Sequence, residues 1–196
     1  MALLKIIAYG DPILRKQSAD IDEIDANLSR LIDDMVEILH EAGGIGLAAP
    51  QVAVSKMLFV IDWSILPDDP MNREGIEVYI NPKIQIICDA KETEAEGCLS
   101  LPEVSAEVLR SNEIQISYQN LEWKEITRTL IGYPARVVQH EYDHLLGILF
   151  IDRLSPSQRT KIKDKLQDIL AGRIKPFDGT RPHEQPASSA AERLKI

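Results

Sequence analysis

Cysteine is nearly absent from this sequence: Cys88 and Cys98 are the only two in 196 residues. That is too few for the disulfide framework of a small secreted domain, so in a reducing compartment at least one is expected to be a free thiol or a metal ligand. Histidine is also scarce, with four copies, and aromatic residues make up only 5%. No apolar run is long; Met57 to Ile61 and Leu145 to Phe150 fall far short of the roughly 20 residues needed to span a bilayer. Positive charge is the minority sign, 22 Lys and Arg against 31 Asp and Glu, and the net charge of −9 argues against a broad electrostatic grip on nucleic acid. The opening residues carry no basic leader and run at once into the turn signal Gly10-Asp11-Pro12, so no secretory signal and no membrane anchor is expected, and the expected address is the cytoplasm.

What is present reads as one ordinary globular domain. Hydrophobic residues make up 44% and charged residues 27%, close to the globular average. Leu28, Leu31, Ile32, Met35, Val36 and Leu39 recur at helical spacing between Asp25 and the stop Gly43-Gly44, which predicts an N-terminal helix. Strands are expected over 56–62, 76–88 and 114–118, with Asn81-Pro82 interrupting or edging the second, and over 125–130 as the hairpin partner of the third. Pro134 suits the first turn of a helix running to about Gly147. Ser155-Pro156-Ser157-Gln158 opens a last helix with a capping box, to close at Gly172. Asp62 to Gly75 reads as a surface loop without catalytic meaning, and Cys88, at the end of the apolar run from Ile84, as a small core hydrophobe. Residues 1–175 form the expected domain and 176–196, rich in Pro, Ser, Ala, Glu and Arg, a flexible tail.

The chemistry concentrates in Gln139-His140-Glu141-Tyr142-Asp143-His144, an H-E-x-x-H pattern on a predicted helix. Positions four apart share a helix face, so His140 and His144 can offer two imidazoles to one metal ion. Glu141, beside the first ligand, can act as general base toward a water activated there. A catalytic metal needs a third protein ligand and an open position. The metzincin continuation is excluded, because Phe150 stands where its third histidine belongs. Asp152, Asp164 and Asp168 are conceivable third ligands, but Cys98 is the stronger candidate. It lies in Glu96-Gly97-Cys98-Leu99-Ser100-Leu101-Pro102, which Gly97 and Pro102 mark as irregular backbone rather than a regular buried element. Gly43-Gly44-Ile45-Gly46-Leu47-Ala48-Ala49-Pro50-Gln51 is crowded with small residues that let a ligand approach the backbone, and the Gln51 amide can donate to an oxyanion.

Taken together, Gly44–Gln51, Glu96–Ser100 and Gln139–His144 resemble, in order and spacing, the three motifs of the peptide deformylase family. The likeness runs from Tyr9-Gly10-Asp11-Pro12-Ile13-Leu14-Arg15 through Phe150–Leu154 and the last helix. It implies an α+β fold, with antiparallel or mixed sheets packed around a central metal-binding helix, an N-terminal helix and a C-terminal helix. It implies that Cys98, His140 and His144 bind one divalent metal, Fe²⁺ natively and replaceable by Zn²⁺, Ni²⁺ or Co²⁺. Glu141 is then the acid and base, and Gln51 with the Leu99 amide steadies the oxyanion. Ile45, Gly46, Glu96, Gly97, Tyr133 and Val137 become substrate-binding residues, and the reaction is removal of the formyl group from N-formylmethionine on nascent chains.

The chain departs from the family pattern at Tyr133-Pro134, where aliphatic residues are usual beside the methionine pocket. It departs again in Glu103–Leu109, which lacks the glycine and additional arginine often found there. Between Ser155 and Lys175, six basic residues (Arg159, Lys161, Lys163, Lys165, Arg173, Lys175) stand against Asp164 and Asp168, a local balance of +4. This is either a solvated helix face or, by the resemblance, a contact with the ribosome. The competing readings are another H-E-x-x-H metallopeptidase, with a carboxylate as third ligand and Cys98 structural, and a catalytically inactive metal-binding relative.

Overall fold

The computed structural model describes residues 4–66 and 74–179. Five antiparallel strands form the larger sheet in the order β1 (Gly46–Ala48), β2 (Leu58–Asp62), β3 (Ile76–Ile86), β6 (Glu113–Gln119) and β7 (Glu125–Ile131). The remaining strands, β4 (Lys91–Cys98) and β5 (Leu101–Ser111), pair with each other as a separate hairpin. Three helices complete the fold: α1 (Ala26–Ala42), α2 (Tyr133–Leu145) and α3 (Pro156–Leu170). The expected α+β architecture, with an N-terminal helix, a C-terminal helix and a motif helix between sheets, is the one observed.

Local chemistry explains the helix ends. The Asp25 carboxylate accepts from the Leu28 amide at 2.7 Å, satisfying a donor that the first turn leaves unpaired. Gly43 closes α1 at φ 67°, a left-handed position that costs glycine nothing. Ser155 and Gln158 make the reciprocal capping box of α3, with Ser155 N to Gln158 Oε1 at 2.9 Å and Gln158 N to Ser155 Oγ at 3.4 Å.

The core falls into three apolar clusters. Leu28, Ile32, Met35, Ile38 and Leu39 of α1 pack on Leu47, Leu58, Val60, Val78 and Ile80, one face of the large sheet. The other face, with Phe59, Ile61, Tyr79, Ile114 and Ile116, meets Val137, Val138 and Leu145 of α2. Val104 and Val108 of β5 pack with Phe150, Ile151 and Leu154 and with Ile162 and Ile169 of α3. Helix α2 is therefore covered on both sides, and its polar side chains are held in the interior.

Asn81-Pro82 bends β3 without ending it. Pairing steps from Ile80 opposite Gln119 to Lys83 opposite Ser117, one extra residue on β3, with Asn81 at φ 48°. That is a β-bulge. It leaves the Asn81 amide free to clasp the backbone of Ile21, accepting from its N–H at 2.9 Å and donating to its carbonyl at 2.7 Å.

Several expectations need correction. The segment around Cys98 belongs to a hairpin rather than a loop: Cys98 ends β4, Leu101 begins β5, and only Leu99 and Ser100 turn between them, while the expected irregularity is present as a register break, Gly97 facing Ser105 and Cys98 facing Leu101, with Glu103 at φ 62°. Sequence reasoning missed the β4–β5 hairpin because Lys91–Glu96 is built from Lys, Glu, Thr and Ala, residues mostly depleted in strands. Strand β3 stops at Ile86, and Cys88 lies beyond it, half-buried, with its sulfur accepting from the Ala90 amide at 3.4 Å, so it is not a core residue. The predicted surface loop begins with a 3₁₀ turn over Trp63–Ile65 in which Trp63 is fully buried; its middle lies outside the described residues. Pro176 is buried and Phe177 packs on the α1 cluster, so folded chain continues past Lys175. The rest of the expected tail, 180–196, lies outside the described residues.

Candidate metal centre

Helix α2 brings polar groups into the core. Gly132 precedes it at φ 67°, tied to the Asn112 carbonyl through its N–H at 2.8 Å, and Pro134 fills the first turn, where its missing N–H costs nothing. From there Arg136, Gln139, Glu141, Asp143 and His144 are all buried, while the His140 side chain is 11% exposed. The two imidazoles stand one helical turn apart with ring centroids 5.1 Å from each other, edge to face.

Cys98 arrives from the β4–β5 turn. Its Sγ lies 3.3 Å from His144 Nε2, and one donor atom from each of Cys98, His140 and His144 falls within 4.8 Å of the others. Ligand bonds of about 2.0 Å to nitrogen and 2.3 Å to sulfur in a tetrahedral site separate donors by roughly 3.3–3.8 Å, so the trio suits a divalent ion. It is the one such group among the described residues.

The tautomer of His140 is set from behind. Its Nδ1 lies 2.9 Å from Glu96 Oε2, and Glu96 is an anion. Burial alone would raise its carboxyl, but hydrogen bonds from Arg110 and His140 outweigh that and hold it far below the ordinary carboxylate range. An ionised Glu96 makes Nδ1 the protonated nitrogen and leaves the Nε2 lone pair for a cation. The attraction for positive charge shows in His140 itself: burial opposes the imidazolium, yet hydrogen bonds with Cys98 and Glu96 lift its pKa to about 10. Burial and the neighbouring His140 charge push His144 the other way, well below its ordinary value.

Glu96 is itself held by a dry ionic lattice. Arg110, 3% exposed, forks onto it with Nε at 2.6 Å and Nη2 at 2.8 Å and reaches Asp143 with Nη1 at 2.7 Å. Arg136 adds Nη1 to Glu96 Oε1 at 2.7 Å, and Arg153 Nε donates to Asp143 at 2.6 Å. Sequence reasoning missed Arg110, Arg136, Asp143 and Arg153. Only Asp143 carried a local signal, being inside the H-E-x-x-H segment; the others are joined by pairings across 10 to 40 positions.

Glu141 lies on the cavity side. Its Oε2 is buried without a hydrogen-bond partner among the described residues, and burial raises its pKa to about 7 against the opposing charges of His140 and Arg110. Gly46 makes room for it: a Cβ there would stand 2.7 Å from Glu141 Oε1. Gln51 is 1% exposed and oriented at both ends. Its Oε1 accepts from the Ala48 amide at 2.8 Å, and its Nε2 faces Cys98 Sγ at 3.5 Å and Ser100 Oγ at 3.4 Å.

These groups share a cavity of about 720 Å³. Ile45, Gly46, Gln51 and Leu99 line it beside Cys98, His140 and Glu141, and Gly97, Tyr133 and Val137 form another part of its wall. Burial and the nearby Glu94 and Glu96 push the Tyr133 hydroxyl up to about 12, so it is a neutral donor. Glu96 also reaches the wall, with its carboxylate engaged by Arg110, Arg136 and His140. The carboxylate alternatives for the third ligand are elsewhere: Asp152 pairs with Arg15 and Arg159, and Asp168 with Arg173. Neither Asp152, Asp164 nor Asp168 joins the histidines.

A family model described as polypeptide deformylase matches residues 3–160. Curated relatives include peptide deformylases of Christiangramia forsetii, 43% identical over 88% of this chain and 92% of that protein, and of Thermotoga maritima, 42% identical over 85% and 96%. Among solved structures, a peptide deformylase from Plasmodium falciparum aligns with a TM-score of 0.78 at 36% identity, covering 86% of this chain and 96% of that one. The Thermotoga maritima peptide deformylase structure aligns with a TM-score of 0.72, covering 80% and 100%.

Proposed function

Because the chain belongs to the polypeptide deformylase family and removes the formyl group from nascent peptides, we propose that Cys98, His140 and His144 hold the metal for that hydrolysis and that Glu141 moves its proton. The observation that carries this is the convergence of one sulfur and two imidazoles from distant segments beside a buried carboxylate whose Oε2 has no hydrogen-bond partner among the described residues. The expected catalytic domain of residues 1–175 is extended through Phe177, which packs on the α1 cluster.

Held by Cys98, His140 and His144, a divalent ion would supply Lewis acidity for the hydrolysis. The protein residues do the rest. Glu141, with a pKa of about 7, is matched to taking a proton from the attacking water and handing it to the departing α-amine, so that formate and a free amino terminus result. Gln51 Nε2, fixed by the Ala48 amide at its other end, offers a pre-aimed donor to the oxygen that gains charge, as does the Leu99 amide in the Cys98 turn; one such donor is typically worth about 3 kcal/mol. Ile45, Gly46, Gly97, Tyr133 and Val137 enclose the formylmethionine, and Glu96 acts through His140.

A sulfur with two imidazoles accepts several divalent ions, and we assign Fe²⁺ as the native one with Zn²⁺, Ni²⁺ or Co²⁺ as substitutes. Formate release from formyl-Met-Ala-Ser is expected to stop with a chelator and to return with either Fe²⁺ or Ni²⁺. The ferrous enzyme should decay faster in air, because an oxidisable iron exposes its sulfur ligand to oxidation. Peptide-bond cleavage without formate release would establish the peptidase alternative, and equal decay of the two metal forms would remove the iron assignment.

No described helix is long and apolar enough to cross a membrane, and the reading places the protein in the cytoplasm with nascent chains. The basic α3 region supports a ribosome contact on a narrower base than its composition implied. Arg159 and Arg173 are engaged by Asp152 and Asp168, and Lys165 by a backbone carbonyl, while Lys161 and Lys163 stand exposed. Ribosome pelleting at low salt is expected to fall for Lys161→Glu/Lys163→Glu; undiminished pelleting removes α3 from the contact.

A further inference from the structure

The cavity is larger than formylmethionine requires. At about 720 Å³ it lies within the roughly 300–1,000 Å³ range that takes whole drug-sized ligands, and part of its wall is formed by residues outside the three motifs. There Glu103, Val104 and Ser105 of β5 meet Lys165 of α3.

Lys165 is unusual among the lining residues. The other lining cation, Arg136, is saturated by Glu94, Glu96 and the carbonyls of Val108 and Glu92. Lys165 is exposed and makes no ion pair with any described carboxylate; its ammonium donates instead to the backbone carbonyl of Glu103 at 2.5 Å. That single neutral acceptor uses one of three N–H donors. The bond also fixes where the charge sits, because Glu103 lies in the bulged part of β5 with a left-handed φ of 62°.

The distance from the metal centre is set by the hairpin. Leu101 pairs with Cys98 and Ser105 with Gly97, so Pro102, Glu103 and Val104 bulge out between them; two residues of chain reach at most about 7 Å beyond Leu101, which keeps the ammonium on Glu103 within roughly 10–15 Å of the cysteine. A peptide whose formyl group reaches the metal ligands brings its second or third residue after methionine to this part of the wall.

We propose that Lys165 is a specificity residue of this deformylase, favouring substrates with a carboxylate side chain two or three residues after the formylmethionine. The proposal rests on the functional reading above. Glu103 opposes it, since that residue also lines the cavity and its negative charge repels the same group, so the preference is modest. An exposed pair of this kind changes an equilibrium by about two- to fivefold.

The test is kcat/KM of the nickel-loaded enzyme for formyl-Met-Ala-Glu and formyl-Met-Ala-Lys, both C-terminally amidated so that only the side chain supplies charge. The parent enzyme is expected to prefer the Glu peptide about two- to fivefold, through KM, and to lose that preference at high salt. Lys165→Gln should bring the ratio near one, Lys165→Glu should invert it, Lys165→Arg should keep it and Glu103→Gln should raise it. A parent ratio of one overturns the proposal, as does an unchanged ratio in Lys165→Gln or an equal drop on both peptides, which would mark Lys165 as a structural tie only. Failure of the parent to release formate from either peptide overturns the deformylase reading itself.

Discussion

Glu141→Gln is expected to lower kcat by about 10²- to 10⁴-fold, the usual worth of a positioned proton carrier, while leaving the metal content unchanged. The substitution keeps the size and planarity of a side chain packed against Gly46, where a Cβ would already come within 2.7 Å of Oε1, so the cavity wall should survive. What disappears is a group that can gain and lose a proton. The carboxylate has no hydrogen-bond partner on Oε2, so its removal strands no donor, and it is absent from the Cys98, His140 and His144 group. A loss confined to kcat, with KM and metal stoichiometry near those of the parent, is the signature of an interaction made only in the transition state. Retention of kcat would remove Glu141 from the proton path, and loss of the metal would make it a ligand. The pair of measurements therefore separates chemistry from assembly.

Legibility in the sequence followed the range of the interactions. His140, Glu141 and His144 could be read because their relation is one helical turn, and α1 and α3 because caps and periodicity are local. Cys98 and Gln51 could be nominated by residue type and by resemblance to a family, but not joined to the histidines by spacing alone, since packing of the β4–β5 hairpin against α2 brings Cys98 to His144 across 46 positions. The β4–β5 hairpin was invisible for a related reason. Its Glu and Lys side chains are exposed along most of β4, and the one that is buried, Glu96, is stabilised by Arg110, 14 positions away, and by Arg136 and His140 still further off. A buried carboxylate looks like a surface residue until its partners are known. By resemblance Glu96 reads as a substrate contact; the structure adds that its carboxylate is engaged by Arg110, Arg136 and His140. The same holds for Lys165, one of six basic residues in a stretch of sequence, which the packing of α3 on β5 sets apart from its neighbours.

Arg110→Met is expected to destabilise the protein by about 3–5 kcal/mol, the cost of breaking a buried ion pair from one side, and to weaken metal affinity by about 10- to 100-fold, the usual effect of removing a group behind a metal ligand. Arg110 is the only described residue that ion-pairs with both Glu96 and Asp143, and it joins β5, β4 and α2 at one point. Its loss does not leave either carboxylate alone, since Arg136 and His140 stay on Glu96 and Arg153 on Asp143; that places the stability change toward the lower end of the range. The metal effect has a different origin. With its guanidinium fork gone, Glu96 keeps only the single hydrogen bonds of Arg136 and His140, so the Nδ1 contact that orients His140 is held less rigidly. Arg110→Lys discriminates between charge and shape: an ammonium restores the positive charge but cannot place two parallel N–H groups on Glu96 while reaching Asp143. It should recover part of the urea midpoint and little of the metal affinity. If the metal affinity of Arg110→Met matched that of the parent, the lattice would be a structural filler of the core, and the orientation of His140 would have to come from the helix alone.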